Sequence, residues 1–257
     1  MTQKNWWKTF YTQHFAEIML ASEPSYLESA RSFMFRHLRL QPGQRVFDQC
    51  CGIGNLSLTL AEAGLQVYGI DQSEAYILEA RKRAQAAGLA CEFEVADAFE
   101  FILSPTCDAA INWHTSFGYT PDDRQNRRML DAVFASLRPG GYFLLDFINL
   151  PYVLQDFRAT MISYHPSREG EVQVQRDSEL DLKQGLMTQT WRFRYPHPEK
   201  NIEIQGATRL YLPYQLGDLL QEAGFEVLDY LGGLDDQPLS LATPRCICLA
   251  RKPEDTH

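Results

Sequence analysis

The chain has 257 residues, 45% hydrophobic and 22% charged, with a formal net charge of −9 at pH 7. That length suits one sizeable α/β domain, or one domain with an insertion, and the composition is that of an ordinary globular protein. No apolar run approaches the ~18 residues of a membrane span, and the acidity disfavours nucleic acid, whose phosphates call for cations.

The opening residues, Met1-Thr2-Gln3-Lys4-Asn5-Trp6-Trp7, hold no apolar stretch of a signal peptide. A cytoplasmic protein is therefore expected, with its six cysteines reduced. Cys50-Cys51 and Cys246-x-Cys248 lack zinc spacing, so they read as small packed residues and no metal is expected. Asn5 to Leu20 places Trp6, Trp7, Phe10, Tyr11, Phe15, Ile18 and Met19 at helical intervals, which predicts one aromatic helix. It either packs over the core or lines a ligand site with flat apolar walls. A second helix is predicted from Ser25 to Leu40, ended by Pro42-Gly43.

Arg45 to Glu79 reads as strand, glycine-rich turn, helix, strand, and the rest of the chain is organised around it. Arg45 to Gln49 is a β run, Cys50-Cys51-Gly52-Ile53-Gly54 a tight turn, and Asn55 to Ala63 a helix stopped by Gly64. Leu65 to Ile70 is the second strand and ends on Asp71. Such a unit is a right-handed βαβ that binds its ligand at the carboxyl ends of the strands. Gly52 and Gly54 allow a ligand close to the backbone. Asp71 stands where a carboxylate accepts ribose hydroxyls. A dinucleotide site would want glycine or alanine in place of Ser57. It would also not want Asp48, which repels a pyrophosphate but suits a cofactor with a cationic amino-acid tail.

Ser73 is the predicted cap of a helix from Glu74 to Ala87, and Ala90 to Ala96 is the third strand. Asp97-Ala98-Phe99 follows, with Asp97 either a helix cap or a ligand contact. Cys107 to Asn112 is the fourth strand, leading into Trp113-His114-Thr115-Ser116-Phe117-Gly118-Tyr119. Loops at this edge carry chemistry. His114 is the candidate general base, with local hydrogen bonding as its alternative, and Tyr119 a candidate for orienting a substrate. Thr120 is the predicted cap of a helix reaching Leu137, and Tyr142 to Phe147 is the fifth strand. From 150 to 212 the pattern alternates as strands do: Glu171–Gln175, Ser178–Leu182, Met187–Tyr195 and Ile202–Leu212, with turns at Lys183-Gln184-Gly185 and Pro196–Lys200. This predicts an inserted antiparallel sheet. Arg158, Tyr164, Trp191, Arg192, Arg194, Arg209 and Tyr211 are its candidates to reach inward, and alternation allows about half of them to share a face. A dimer interface is the competing use of this sheet. Leu216 to Ala223 is a last helix, Phe225–Leu231 and Cys246–Arg251 the last strands, and Pro253 to His257 a frayed tail.

Asp48-Gln49-Cys50-Cys51-Gly52-Ile53-Gly54 resembles the first motif of class I S-adenosylmethionine-dependent methyltransferases, and Tyr68-Gly69-Ile70-Asp71-Gln72-Ser73 their second. The likeness continues through Val95-Ala96-Asp97-Ala98, Asp108 to Asn112, and Leu137-Arg138-Pro139-Gly140-Gly141. It spans about Pro42 to Asn149 and Tyr214 to Lys252. It implies a Rossmann-like, seven-stranded, mostly parallel sheet with helices on both faces. Residues 1–149 and 213–257 would form that core, with 1–40 covering the active site and 150–212 inserted as a lid. The implied cofactor is S-adenosyl-L-methionine. Asp48, Cys50, Gly52, Gly54 and Asn55 would hold its methionine part, Asp71 and Gln72 its ribose, and Asp97 and Ala98 its adenine, with Asn112 facing it. Trp7, Tyr11, Phe117, Arg158, Arg209 and Tyr211 would bind a small-molecule acceptor, with His114 or Tyr119 as base if a hydroxyl is methylated. The rivals are a nucleotide-dependent oxidoreductase, an RNA or protein methyltransferase, and a non-catalytic cofactor-binding module. No segment between 1 and 257 forms a basic stripe, which weighs against RNA.

Overall fold

The computed structural model describes residues 5–254. Its organising feature is a seven-stranded sheet built from β1 (Arg45–Gln49), β2 (Gln66–Asp71), β3 (Cys91–Val95), β4 (Cys107–Asn112), β5 (Leu137–Ile148), β10 (Glu226–Leu231) and β11 (Arg245–Arg251). The strand order is β10-β11-β5-β4-β1-β2-β3, with only β11 antiparallel to its neighbours. The order reverses at β1, which pairs with β2 on one side and β4 on the other. That reversal opens a crevice at the carboxyl ends of these strands.

Strand residues alternate between two apolar layers, as period-two geometry requires. Val46, Ala109, Ile111 and Leu144 pack beneath α3 (Pro24–His37) and α4 (Asn55–Glu62). Phe47, Ala110, Phe143, Leu145 and Phe147 pack beneath α6 (Asp123–Ser136) and α8 (Pro213–Glu222). α5 (Glu74–Ala87) covers β2 and β3.

Several elements depart from the sequence reading. The predicted N-terminal helix is two short ones, α1 (Trp7–Phe10) and α2 (Gln13–Met19). Thr12 leaves the helical region between them, and its hydroxyl accepts from the Phe15 amide as an N-cap. Asp122, not Thr120, caps α6, accepting from Arg124 N at 2.9 Å, while Thr120 Oγ1 donates to Asn126 Oδ1. Ser73 stands at the N-cap position of α5 but makes no side-chain cap bond, and its amide donates to Asp71 Oδ1 at 2.9 Å. β5 begins at Leu137, opposite Cys107, and absorbs the Gly140-Gly141 irregularity as a register shift. The expected frayed tail extends into residues 255–257, outside the described residues.

The second sheet has order β6-β7-β8-β9, antiparallel throughout: β6 (Thr160–Ser167), β7 (Gly170–Asp181), β8 (Leu186–Arg194) and β9 (Ile202–Arg209). β6 and the short helix α7 (Leu150–Gln155) were not visible in the sequence pattern, and β7 is one strand where two were expected. One face of this sheet carries Val172, Val174, Phe193 and Tyr195 into the same apolar layer as α1 and α2. The aromatic N-terminal segment therefore lies between the two sheets. Gly206 in β9 makes this possible, since a Cβ there would sit 2.6 Å from the Trp6 ring. No helix among the described residues is long and apolar enough to cross a membrane.

Candidate functional site

The tips of β1 and β2 bring two carboxylates to the glycine turn. Asp48 is 3% exposed and accepts from Ser57 Oγ at 2.5 Å. Burial pushes its carboxyl up to about 7, with the Ser57 bond opposing the shift and Asp71 adding to it. Asp71 is aimed by the backbone: Oδ2 accepts from Gly52 N at 3.0 Å and Oδ1 from Ser73 N. Its own carboxyl is also raised by burial, against the pull of these amides. Arg83 reaches the turn only at Ile53 O and Asn55 Oδ1, and neither acid is paired with a cation among the described residues, which leaves the two carboxyls receptive to positive charge.

The two glycines divide their labour. Around Gly52 only Leu20 Cδ1 comes near, at 3.6 Å from where a Cβ would stand. Gly54, at φ +76°, faces the other way, where a Cβ would lie 2.9 Å from the Phe93 ring. Gly54 thus serves helix–strand packing, and Gly52 leaves room at the tip.

The N-terminal segment is latched over this edge by its main chain. Trp7 O accepts from Gln72 Nε2 at 2.8 Å, Thr12 O from Tyr76 OH at 2.9 Å, and Leu20 O from Asn55 Nδ2 at 2.6 Å. Between the first two latches the Tyr11 hydroxyl meets that of Tyr119 in a hydrogen bond. Burial raises both phenols, and both feel the negative charge of Asp71, which places the pair beside that carboxylate.

At the end of β4, Asn112 is 1% exposed. Its Nδ2 donates to Gln49 Oε1 at 2.9 Å, while its Oδ1 is buried with no partner among the described residues. Gln49 in turn donates to Ala98 O and Met129 O, tying β1, β4 and the loop after β3 together. His114 and Thr115 follow with φ of +58° and +61°. This turn is held by Asp146, which accepts from His114 N and pairs with Arg245. The imidazole stacks on Tyr26 of α3 and bonds its hydroxyl at 2.7 Å. Trp113 Nε1 donates to the same hydroxyl at 2.9 Å. Desolvation lowers the His114 pKa, keeping it neutral near pH 7. His114 is thus directed onto α3, away from the Tyr11–Tyr119 pair.

The remaining sequence candidates separate. Trp7 packs on Phe99, beside the Asp97-Ala98 loop. Asp97 is exposed and accepts from Phe99 N at 3.0 Å. Asn55 is engaged by Leu20, Ser22 and Arg83. Phe117 is fully buried against Phe147 and Tyr211. Arg209 pairs with Asp123, and Tyr211 donates to the same carboxylate at 2.8 Å, so both fasten the second sheet to α6. Arg158 is exposed and pairs with Asp156, apart from the others. Of the inserted-sheet candidates, Trp191 faces the aromatic segment, while Arg192 bonds Asp177 and Glu203 on the other face and Tyr164 is exposed. Sequence reasoning missed Gln49, Tyr76 and Tyr26, whose roles depend on contacts distant in the chain, and Ser57, whose hydroxyl turns back onto Asp48.

The methyltransferase domain family matches residues 46–141. A 23S rRNA (uracil-C5) methyltransferase, RlmD, of Dechloromonas aromatica is 43% identical over 27% of this chain and 17% of its own. The chain spans less than two fifths of the length of the first four curated relatives it matches. Among solved structures, the CcbJ methyltransferase of Streptomyces caelestis superposes with TM-score 0.80 at 14% identity, over 96% of this chain and 99% of its own. The sugar N-methyltransferase KedS8 of Streptoalloteichus sp. ATCC 53650 superposes with TM-score 0.73 at 18% identity, over 92% and 90%. At such identities these likenesses show the fold alone.

Proposed function

We propose that this chain, whose residues 46–141 match the methyltransferase domain family, is a class I S-adenosylmethionine-dependent methyltransferase that methylates a small molecule held between its two sheets. The observation that carries the reading is the pair of acids at the β1–β2 edge, one buried and one half-buried, latched under an aromatic segment that the second sheet backs.

The residues fit the cofactor. Asn112 Oδ1 is a buried acceptor lacking a donor, and Asp48 is a carboxyl that a cation would ionise, so the two suit an ammonium group. Asp71, fixed by Gly52 and Ser73, keeps lone pairs for ribose hydroxyls. Trp7 and Phe99 offer ring faces beside Asp97, which suits adenine. When bound, S-adenosylmethionine supplies a methyl group on a sulfonium, open to in-line displacement. The chain's work is placement and exclusion of water. The latched segment closes the edge, and Tyr11 and Tyr119 present paired hydroxyls that orient an acceptor by hydrogen bonding. A neutral amine needs no base and sheds its proton to solvent after the transfer. A hydroxyl acceptor would need a base, and two phenols held protonated by burial do not supply one.

RNA remains the second macromolecular reading, favoured only by partial matches such as RlmD. The absence of a basic stripe weighs against it. A homodimer through the second sheet and a cytoplasmic location belong to the same proposal. Calorimetry tests the core of it. S-adenosylhomocysteine should bind with low-micromolar affinity or better while NAD does not. Equal affinities, or no uptake of the former, would overturn it. Retention on polyanions that falls with salt would move the acceptor to RNA.

A further inference from the structure

Cross-strand register fixes what the second sheet shows to α1 and α2. Met161, Arg176, Trp191 and Ile204 form one row across it, and Ser178, Gln189 and Gly206 the next. The Trp191 ring lies 5.6 Å from Phe15 and 6.4 Å from Phe10, so this row faces the aromatic segment. Arg176 lies over that indole, with its guanidinium carbon 5.3 Å from the ring centroid.

This guanidinium is singular. Its one side-chain hydrogen bond among the described residues goes to Met161 Sδ, a weak acceptor. The adjacent Asp177 points through the opposite face, where Arg192, Thr160 and Gln175 use it. Arg176 Nε and Trp191 Nε1 are both buried with no acceptor. Two N–H donors on adjacent strands, one of them part of a cation, are thus withdrawn from water without an acceptor, while Arg176 as a whole stays half-buried. Such N–H groups are costly to bury unless something accepts from them.

We propose that Arg176 and Trp191 form an oxyanion subsite for the methyl acceptor, which would carry a carboxylate or phosphoryl group at the end remote from its nucleophile. The proposal rests on the reading above that the acceptor lies between the sheets. A planar guanidinium over an indole whose N–H lacks a partner offers donors to the oxygens of an anion. Phe10 stands between this subsite and the Tyr11–Tyr119 pair, with its ring 5.0 Å from that of Tyr11. An acceptor anchored at Arg176 would therefore reach around one aromatic ring to the tyrosines.

The chain has four tryptophans, so its indole N–H resonances are few enough to follow one by one. Protein saturated with S-adenosylhomocysteine is titrated with sodium acetate or inorganic phosphate at constant ionic strength, and the Trp191 resonance is assigned with Trp191→Phe. The expected result is a saturable downfield shift of that proton alone. Arg176→Gln should abolish it, and Arg176→Lys should weaken the anion about tenfold. Saturation by acetate only assigns a carboxylate, by phosphate only a phosphoryl group, and by both the shared oxyanion chemistry. No shift with either anion, a non-saturating shift of all four resonances, or an unchanged response in Arg176→Gln overturns the proposal. Both Arg176 variants should keep wild-type affinity for S-adenosylhomocysteine, which reports that they fold. Should the wild type itself fail to bind it, the cofactor reading falls instead.

Discussion

The two sheets obey different logic. The parallel sheet is buried on both faces, and its chemistry comes from where strands end: backbone amides at Gly52 and Ser73 aim Asp71, and Ser57 holds Asp48. The antiparallel sheet is buried on one face, and its chemistry comes from where side chains stand within a strand, as with Arg176 and Trp191. The first kind of site is assembled from neighbours in sequence. The second needs residues from several strands and can change one side chain at a time without disturbing the frame. A fixed cofactor and a variable acceptor suit that division.

Four expected outcomes would break or sharpen the contrast. The largest is Asp71→Ala, which removes an acceptor for two hydroxyls and should weaken S-adenosylhomocysteine by about 3 kcal/mol, roughly a hundredfold. Calorimetry reads this, and a loss below fivefold would remove Asp71 from the ligand. Gly54→Ala comes next. Its φ of +76° and the Phe93 ring 2.9 Å away should cost about 2 kcal/mol in denaturant unfolding. A neutral result would mean that this turn relaxes freely.

The third outcome is a pH effect. The folded Asp48 carboxyl titrates near 7, above its ordinary 3.8, so the folded chain holds a proton that the unfolded chain has released. Its contribution to stability is present below about pH 4 and drains away as pH climbs through 7. The free protein should therefore unfold more easily at pH 8 than at pH 5, with a slope flattened in Asp48→Asn. Uptake of a ligand bearing an ammonium should release close to one proton at pH 6, read from binding heats in buffers of different ionisation enthalpy. Proton uptake instead would refute the assignment. The smallest effect is Tyr211→Phe. Asp123 keeps Arg209 and Asn126 keeps Thr120, so only about 1 kcal/mol of stability should go, with cofactor affinity unchanged within twofold. A larger drop in affinity would show that the second sheet controls the cofactor edge as well.

The seven-stranded sheet was legible because each motif is local: strand, glycine turn, carboxylate. The site was legible only where residues act near their own position. Asp48 and Asp71 lie at the ends of β1 and β2, where the local pattern placed them, but Arg209 and Tyr211 look the same in sequence whether they face a substrate or Asp123. His114 carried the strongest chemical signal in its loop, yet a tyrosine 88 residues earlier claims its nitrogen. Trp191 was a candidate to reach inward and does so. Arg176 lies in a run of charge, Arg176-Asp177 and Glu179, that in sequence reads as solvated, because its side chain takes meaning only from the strand beside it. Tyr11 and Thr12 fit a continuous helix by periodicity, and the break between α1 and α2 comes from the Thr12 cap.

The three latches of the N-terminal segment are made through peptide oxygens of Trp7, Thr12 and Leu20. Any residue type supplies such an oxygen. The clasp is therefore indifferent to which side chains the segment wears, and the recognising groups, Gln72, Tyr76 and Asn55, all sit on the receiving body. Evolution or an engineer can recolour the inner wall by exchanging Trp7 or Tyr11 while the flap still buckles in the same three places.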